Sequence, residues 1–233
     1  MKININYPNS ALISIIENPE QMITLDANFL IAPDRRPLTK NGVGFERFRE
    51  IWLDPIFSAF PNLAIHEAVY EELVGISSKN YVDSKIDSLP PKIIIHKDAS
   101  LTKIERYLRD TIEAKIAPYT KYEPFLDNKD DRGEVKSLSY IAAKGLLYFA
   151  ANDSNVIQLV EKSEEWSTGL DNVQVIKMYE LIYYLYRNNL TDKAGLKKLY
   201  KYQYYLTERE KTTNPSWEDF SSNMENLYKS YFK

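Results

Sequence analysis

Four stretches of this 233-residue chain place carboxylates where a side chain can do more than face water. Asp26 ends the apolar run Met22-Ile-Thr-Leu. Glu71 and Glu72 sit among Val69, Leu73 and Ile76. Asp131 and Glu134 open a stretch with Val135, Leu138 and Ile141 at helical spacing, and Asp153 follows the run 146–151. An acid at the end of a buried strand, or beside an apolar stripe, is partly desolvated. Several such acids together repel one another, and their pKa values rise unless a cation neutralises them. A hard divalent cation, Mg²⁺ or Mn²⁺, accepts oxygen ligands and keeps several waters. One such metal, or two, can lower the pKa of a bound water and stabilise a phosphodiester during in-line attack.

Each acid also has a local reading. Asn152-Asp153-Ser154 precedes a helical pattern, so Asp153 suits a helix N-cap. Glu134, Asp130 and Asp131 suit the first turn of a helix, where the macrodipole favours negative charge. One of Glu71 and Glu72 is a solvated acid. Glu72 lies three residues after Val69 and four before Ile76, whereas Glu71 points about 100° away, which favours Glu72.

The elements that must hold these acids alternate along the chain. Strand patterns fall at 22–26, 63–65, 92–97, 146–151 and 173–176. Helical patterns fall at 45–57 (broken near Pro55), 66–76, 80–88, 100–117, 130–145, 154–160 and 178–187. Residues 32–44 and 119–129 read as loops. Alternation of this kind gives parallel strands joined by right-handed crossovers. The expected fold is therefore α/β: a central parallel sheet flanked by helices in three layers over residues 1–188, with an all-helical extension over 189–233, broken near Asn214-Pro215. In open parallel sheets ligands sit beyond the carboxyl ends of the strands, where this reading puts Asp26 and Asp153.

Composition narrows the chemistry. The absence of Cys excludes thiolate metal sites and Cys nucleophiles, and the two histidines, His66 and His96, leave oxygen as the main ligand. No Gly-rich phosphate loop occurs. A net charge of −3 with pI about 5.6 leans against nucleic acid, although an acidic metal centre lowers the total while a basic rim stays local. No leader pattern or apolar run of membrane-spanning length is seen, so a cytoplasmic protein is expected.

Taken in order, the motifs resemble those of PIN-domain metal-dependent ribonucleases. "MITLDANFLI" (22–31) resembles the family's first strand with its terminal Asp, and "HEAVYEELVG" (66–75) resembles the helix carrying its Glu. "DDRGEVKSLSYIAAKG" (130–145) is similar to the Gly-Glu variant of the third motif. "YFAANDSNVIQL" (148–159) is similar to the fourth, and "VQVIKMYELIYYL" (173–185) to the closing strand and helix. The likeness spans about residues 22–188. It implies four acids at one pocket, Asp26, Glu72, Glu134 and Asp153, with Asn28, Asn152 and Asp131 in support. It further implies Mg²⁺ or Mn²⁺ as cofactor and an RNA substrate, in an endoribonuclease such as a toxin or defence nuclease with an antitoxin or a homo-oligomeric partner. Arg35, Arg36, Lys40 and Arg132 are candidates to grip phosphate. Tyr200, Tyr202, Tyr204 and Tyr205 offer either stacking surfaces for bases or core packing. The competing readings are a PIN-like binding module without chemistry and an Asp-nucleophile phosphatase. Asn at position 28, where that phosphatase class carries its second Asp, speaks against the latter.

Overall fold

The structure, a computed structural model, describes residues 2–36, 38–39 and 42–232. Helix α1 (Ser10–Glu17) precedes strand β1 (Ile23–Leu25). Helix α2 (Phe45–Phe48) runs through a π turn (Arg49–Leu53) into α3 (Asp54–Ala59). Next come β2 (Leu63–His66), α4 (Glu67–Glu72), α5 (Ile76–Ile86) and β3 (Ile93–His96). They are followed by α6 (Lys103–Ile116), α7 (Arg132–Lys144), β4 (Tyr148–Ala151), α8 (Ser154–Glu161) and α9 (Ser163–Trp166). The chain closes with β5 (Gln174–Lys177), α10 (Met178–Arg187), α11 (Lys193–Tyr204), α12 (Glu208–Thr213) and α13 (Trp217–Tyr228).

The five strands form one parallel sheet in the order β3-β2-β1-β4-β5, flanked by helices as the sequence pattern predicts. Ile23 pairs with Leu63 on one side and with Tyr148 on the other, so β1 is central and all three of its residues are buried. The chain winds from β1 to β2 and β3 on one side, then crosses to β4. The strand order therefore reverses between β1 and β4, and in sheets of this kind ligands bind beyond the carboxyl ends at that switch point.

The chain divides into two compact units. The first comprises residues 1–21, 32–61 and 176–233, and the second comprises 22–31 and 62–175. The boundary expected at 188/189 is not where the units part, because α11 packs on α10 and on the π turn 49–53. The loop and helix inserted after β1 thus belong with the C-terminal helices.

Within the first unit the tyrosines resolve as core. Tyr200 stacks on Phe220 at 4.5 Å, and Tyr179 meets the same ring edge-on at 6.2 Å. Tyr200, Tyr202 and Tyr204 are buried and Tyr205 is half-buried. The hydroxyls find partners, as buried phenols must: Tyr200 donates to the Pro215 carbonyl at 2.8 Å, and Tyr202 accepts from the Arg35 N–H at 2.8 Å. Base stacking is not what these rings do here. The tail holds three helices where a broken hairpin was expected.

Other departures have local causes. Helix α2 to α3 does not break at Pro55, which takes the first turn of α3 directly after the π turn, where its missing N–H costs nothing. The pattern 66–76 splits, with Leu73 leaving helical geometry and Gly75 starting α5. Helix α1 has no counterpart in the sequence reading. Helix α6 is started by a reciprocal Thr102/Glu105 capping box and α7 is stopped by Gly145 in the left-handed region. No helix among the described residues is long and apolar enough to cross a membrane.

Candidate metal centre at the strand ends

The acids singled out in the sequence come from four separate elements of the second unit. Asp26 directly follows β1, and its N–H donates to the Ala150 carbonyl of β4 at 3.0 Å, tying it across the switch point. Asp153 lies two residues beyond the end of β4. Glu72 ends α4, and Glu134 is in the first turn of α7. Asp26 and Asp153 thus follow the carboxyl ends of the two strands at the switch point, and α4 and α7, which carry the two glutamates, pack on each other.

Asp26 is fully buried. One carboxylate oxygen accepts the Ala27 N–H at 2.7 Å and the other accepts the Asn28 amide at 2.8 Å. Asn28 therefore orients Asp26, as the resemblance implied. Burial, opposed by these two bonds, pushes the Asp26 carboxyl up to about 6, with Glu72 adding repulsion. Glu72 is pushed up to about 7 by burial and then by the charge of Glu134. Glu134 is raised to about 7 by burial, then by Asp26, with further repulsion from Asp131 and Asp153. These mutual effects bring the acids into one electrostatic cluster. Asp153 also caps α8, accepting the Asn155 N–H at 2.7 Å through one oxygen. The local reading of Asp153 as a helix cap therefore holds, and its charge also bears on Glu134. Asn152 is half-buried beside it.

The ambiguity between the paired glutamates is resolved by their partners. Glu71 is exposed and accepts from Arg132 at 2.8 Å. Glu72 turns inward and accepts the Gly133 N–H at 2.8 Å. Gly133 entered the sequence reading only as the glycine of the Gly-Glu motif, without a role of its own. A Cβ built on it would lie 2.5 Å from a Glu72 carboxylate oxygen, so only glycine allows this close approach. A glycine in the first turn of an otherwise well-formed helix was the available signal. Asp131 sits beside it in left-handed conformation, and its carboxylate accepts the Lys121 N–H at 2.9 Å. Asp131 is therefore a loop anchor that also bears on Glu72 and Glu134 electrostatically. Gly133→Ala is expected to displace the Glu72 carboxylate and weaken divalent-cation binding by roughly 10–100-fold. The flexible end of Glu72 can swing away, so melting temperature changes little; a calorimetric Mn²⁺ titration checks this.

The four basic candidates fare differently. Arg132 is held by Glu71 and by Asp127 at 3.0 Å, and Lys136 also reaches Asp127 at 3.1 Å. It braces the start of α7 against α4. In the first unit, the Arg35 guanidinium reaches Glu210 at 2.7 Å and the Tyr202 and Gln203 carbonyls at 2.8 and 3.0 Å. Its donors are spent on holding the loop to α11 and α12, which corrects its reading as a phosphate grip. Arg36 is exposed and pairs with Asp34. Lys40 lies outside the described residues.

Carboxylates that are desolvated and raised by one another, as Asp26, Glu72 and Glu134 are, suit a hard divalent cation, and with Asp153 they make an all-oxygen donor set. Among the described residues, the trio with ligand atoms mutually within 4.8 Å is not drawn from these acids: it is His66, Glu67 and Asp98. That trio is already satisfied. The His66 Nδ1 accepts the Ala68 N–H at 3.2 Å, capping α4, so Nε2 carries the proton toward Asp98 at 3.3 Å. Glu67 accepts the Asp98 N–H at 2.8 Å, and Arg109 pairs with Asp98 at 3.3 Å. A metal there would have to displace a helix cap and compete with an arginine. His96, stacked on Tyr140 at 4.8 Å and 3.2 Å from the Thr24 hydroxyl, is held neutral, its pKa lowered to about 4 by burial and then by His66.

No known protein family, no curated protein and no solved structure matches the chain.

Proposed function

We propose that the second unit is a PIN-like, divalent-metal-dependent nuclease that hydrolyses RNA. One observation carries this reading: Asp26, Glu72 and Glu134, from distant parts of the sequence, meet at the switch point of a parallel sheet and raise one another's proton affinity. A fold does not gather buried like charges without something to offset them. When bound, Mg²⁺ or Mn²⁺ would supply a water of lowered pKa and a counter-charge for the phosphodiester. The chain's own part is positional. Asp26, fixed by Asn28 and Ala27, and Asp153, fixed at the start of α8, present oxygens from the two strand ends. Glu134 faces them from α7. Glu72, held by the Gly133 N–H, accepts a proton or orients a water at the cluster's edge. The choice of RNA over other phosphodiesters comes from the family resemblance, and with it the suggestion of a toxin or defence nuclease.

A second reading, a PIN-like binding module without chemistry, draws on the looseness of the cluster, since no three of these acids form the tight trio described above. Cleavage of a labelled single-stranded RNA with Mn²⁺ or Mg²⁺ separates the two. Wild type is expected to cleave, and Glu134→Gln and Asp153→Asn to lose roughly 100-fold or more. Equal activity in all three proteins would sink the site. No cleavage of any RNA or DNA, together with no cation binding, would favour the module.

A further inference from the structure

The outer face of α6 carries an apolar surface that the acidic centre does not use. Ile104, Tyr107 and Leu108 are 82%, 77% and 43% exposed. They continue at helical spacing through Thr111 and Ala114 to Pro118, one stripe along the helix. At its C-terminal end Ala114, Ala117, Pro118, Tyr122, Pro124 and Phe125, with Thr120 and one exposed acid, Glu123, line a depression of about 440 Å³. Phe125 is fully exposed and Leu126 is 70% exposed. A contiguous apolar surface of this kind marks an interaction site more often than scattered single residues do.

The charges around it set the partner's chemistry. The acids of α6 are already matched: Glu105 by Lys144, Asp110 and Glu113 by Arg109. Lys103 and Arg106 flank the stripe and Lys115 closes its end. All three are exposed, and none has a carboxylate partner among the described residues. We propose that this face docks an amphipathic α-helical segment of a partner protein, apolar on one side and acidic on its flanks. Two exposed rings, Tyr107 and Phe125, sit among aliphatic Ile104, Leu108 and Leu126, so most of the surface offers no plane for a base, which favours an apolar helix over single-stranded nucleic acid. A two-fold contact between copies of the chain would set Lys103, Arg106 and Lys115 near like charges, which disfavours self-association.

The test uses the full chain and a labelled helical peptide of about 18 residues, five turns. The peptide has Leu at every third and fourth position and Glu elsewhere; its counterpart has Lys for Glu. By fluorescence anisotropy the acidic peptide should bind at least about tenfold more tightly. Tyr107→Glu should remove about tenfold of that affinity, and Lys103→Glu with Arg106→Glu should reverse the preference. Leu108→Ser replaces Tyr107→Glu if the latter lowers the melting temperature. No binding of either peptide, equal affinities, or indifference to these substitutions would overturn the proposal. So would tighter binding of a poly-uridine strand lost in Tyr107→Glu, or a dimer that the same change dissolves. The docking face rests on no part of the acidic centre, so it stands or falls independently of the nuclease reading.

Discussion

Asp26→Asn should raise the melting temperature of the metal-free protein at pH 7.5 while lowering metal-dependent RNA cleavage by roughly 100-fold or more. The two effects have one cause. Asp26 is fully buried and its pKa is about 6, so at pH 7.5 the metal-free fold carries a charge that burial disfavours. Each tenfold displacement of that equilibrium is worth about 1.4 kcal/mol, so ionised Asp26 costs the metal-free fold on the order of a few kcal/mol. Asn has the same shape, and its carbonyl oxygen can keep the Ala27 N–H bond seen at 2.7 Å. It also removes the repulsion that Asp26 exerts on Glu134. In a chain of this size roughly 2–4 °C accompanies each kcal/mol, so a rise of several degrees is expected by calorimetry. The amide cannot serve as an anionic ligand, so cation affinity and cleavage fall together. A variant that is less stable yet fully active would show Asp26 to be a local cap and nothing more.

The strand runs and their terminal acids were legible because a central parallel strand is apolar on both faces. In Met22-Ile-Thr-Leu-Asp26 the acid that stops such a run falls at the strand's carboxyl end, where a parallel sheet accepts ligands. Glu72 was legible from helical phase, although the reason it turns inward, the Gly133 N–H, comes from 61 residues downstream. Partners that distant leave no local pattern. Arg35 looked like a loop cation free to meet phosphate, yet it is bound to Glu210, 175 residues away. The unit boundary was hidden for the same reason, since helix periodicity shows which face is apolar but not which neighbour covers it. His66 was missed as a helix cap because imidazole is not among the usual capping side chains, and its role shows only through the Ala68 N–H it accepts.

The pH dependence of stability should run opposite to that of most acidic sites. For Asp26, Glu72 and Glu134 the folded-state pKa lies above the ordinary value, at about 6, 7 and 7. The folded metal-free protein therefore holds protons that the unfolded chain has released. Stability from these groups is present below the unfolded pKa values of about 4 and is lost as pH rises through 6 to 7. Asp98 and Glu105 shift the other way: hydrogen bonds and ion pairs lower them, Glu105 to about 2. Their contribution is lost only in acid, and buried His96, lowered from about 6.5 to about 4, adds stability as pH rises to about 6.5, which leaves the window from pH 6.5 to 8 to the raised cluster. The metal-free melting temperature should fall across that window. A saturating cation that neutralises the cluster should flatten the fall, so the gain on adding Mn²⁺ should be larger at pH 7.5 than at pH 5.5. Binding should also release protons, because ligands held protonated must ionise. Titrations in two buffers of different ionisation enthalpy would count them. Asp26→Asn should shrink both the slope and the proton count. A metal-free stability that rises between pH 6.5 and 8, with a Mn²⁺ gain independent of pH, would mean that the three carboxylates do not form the coupled cluster on which the metal centre rests.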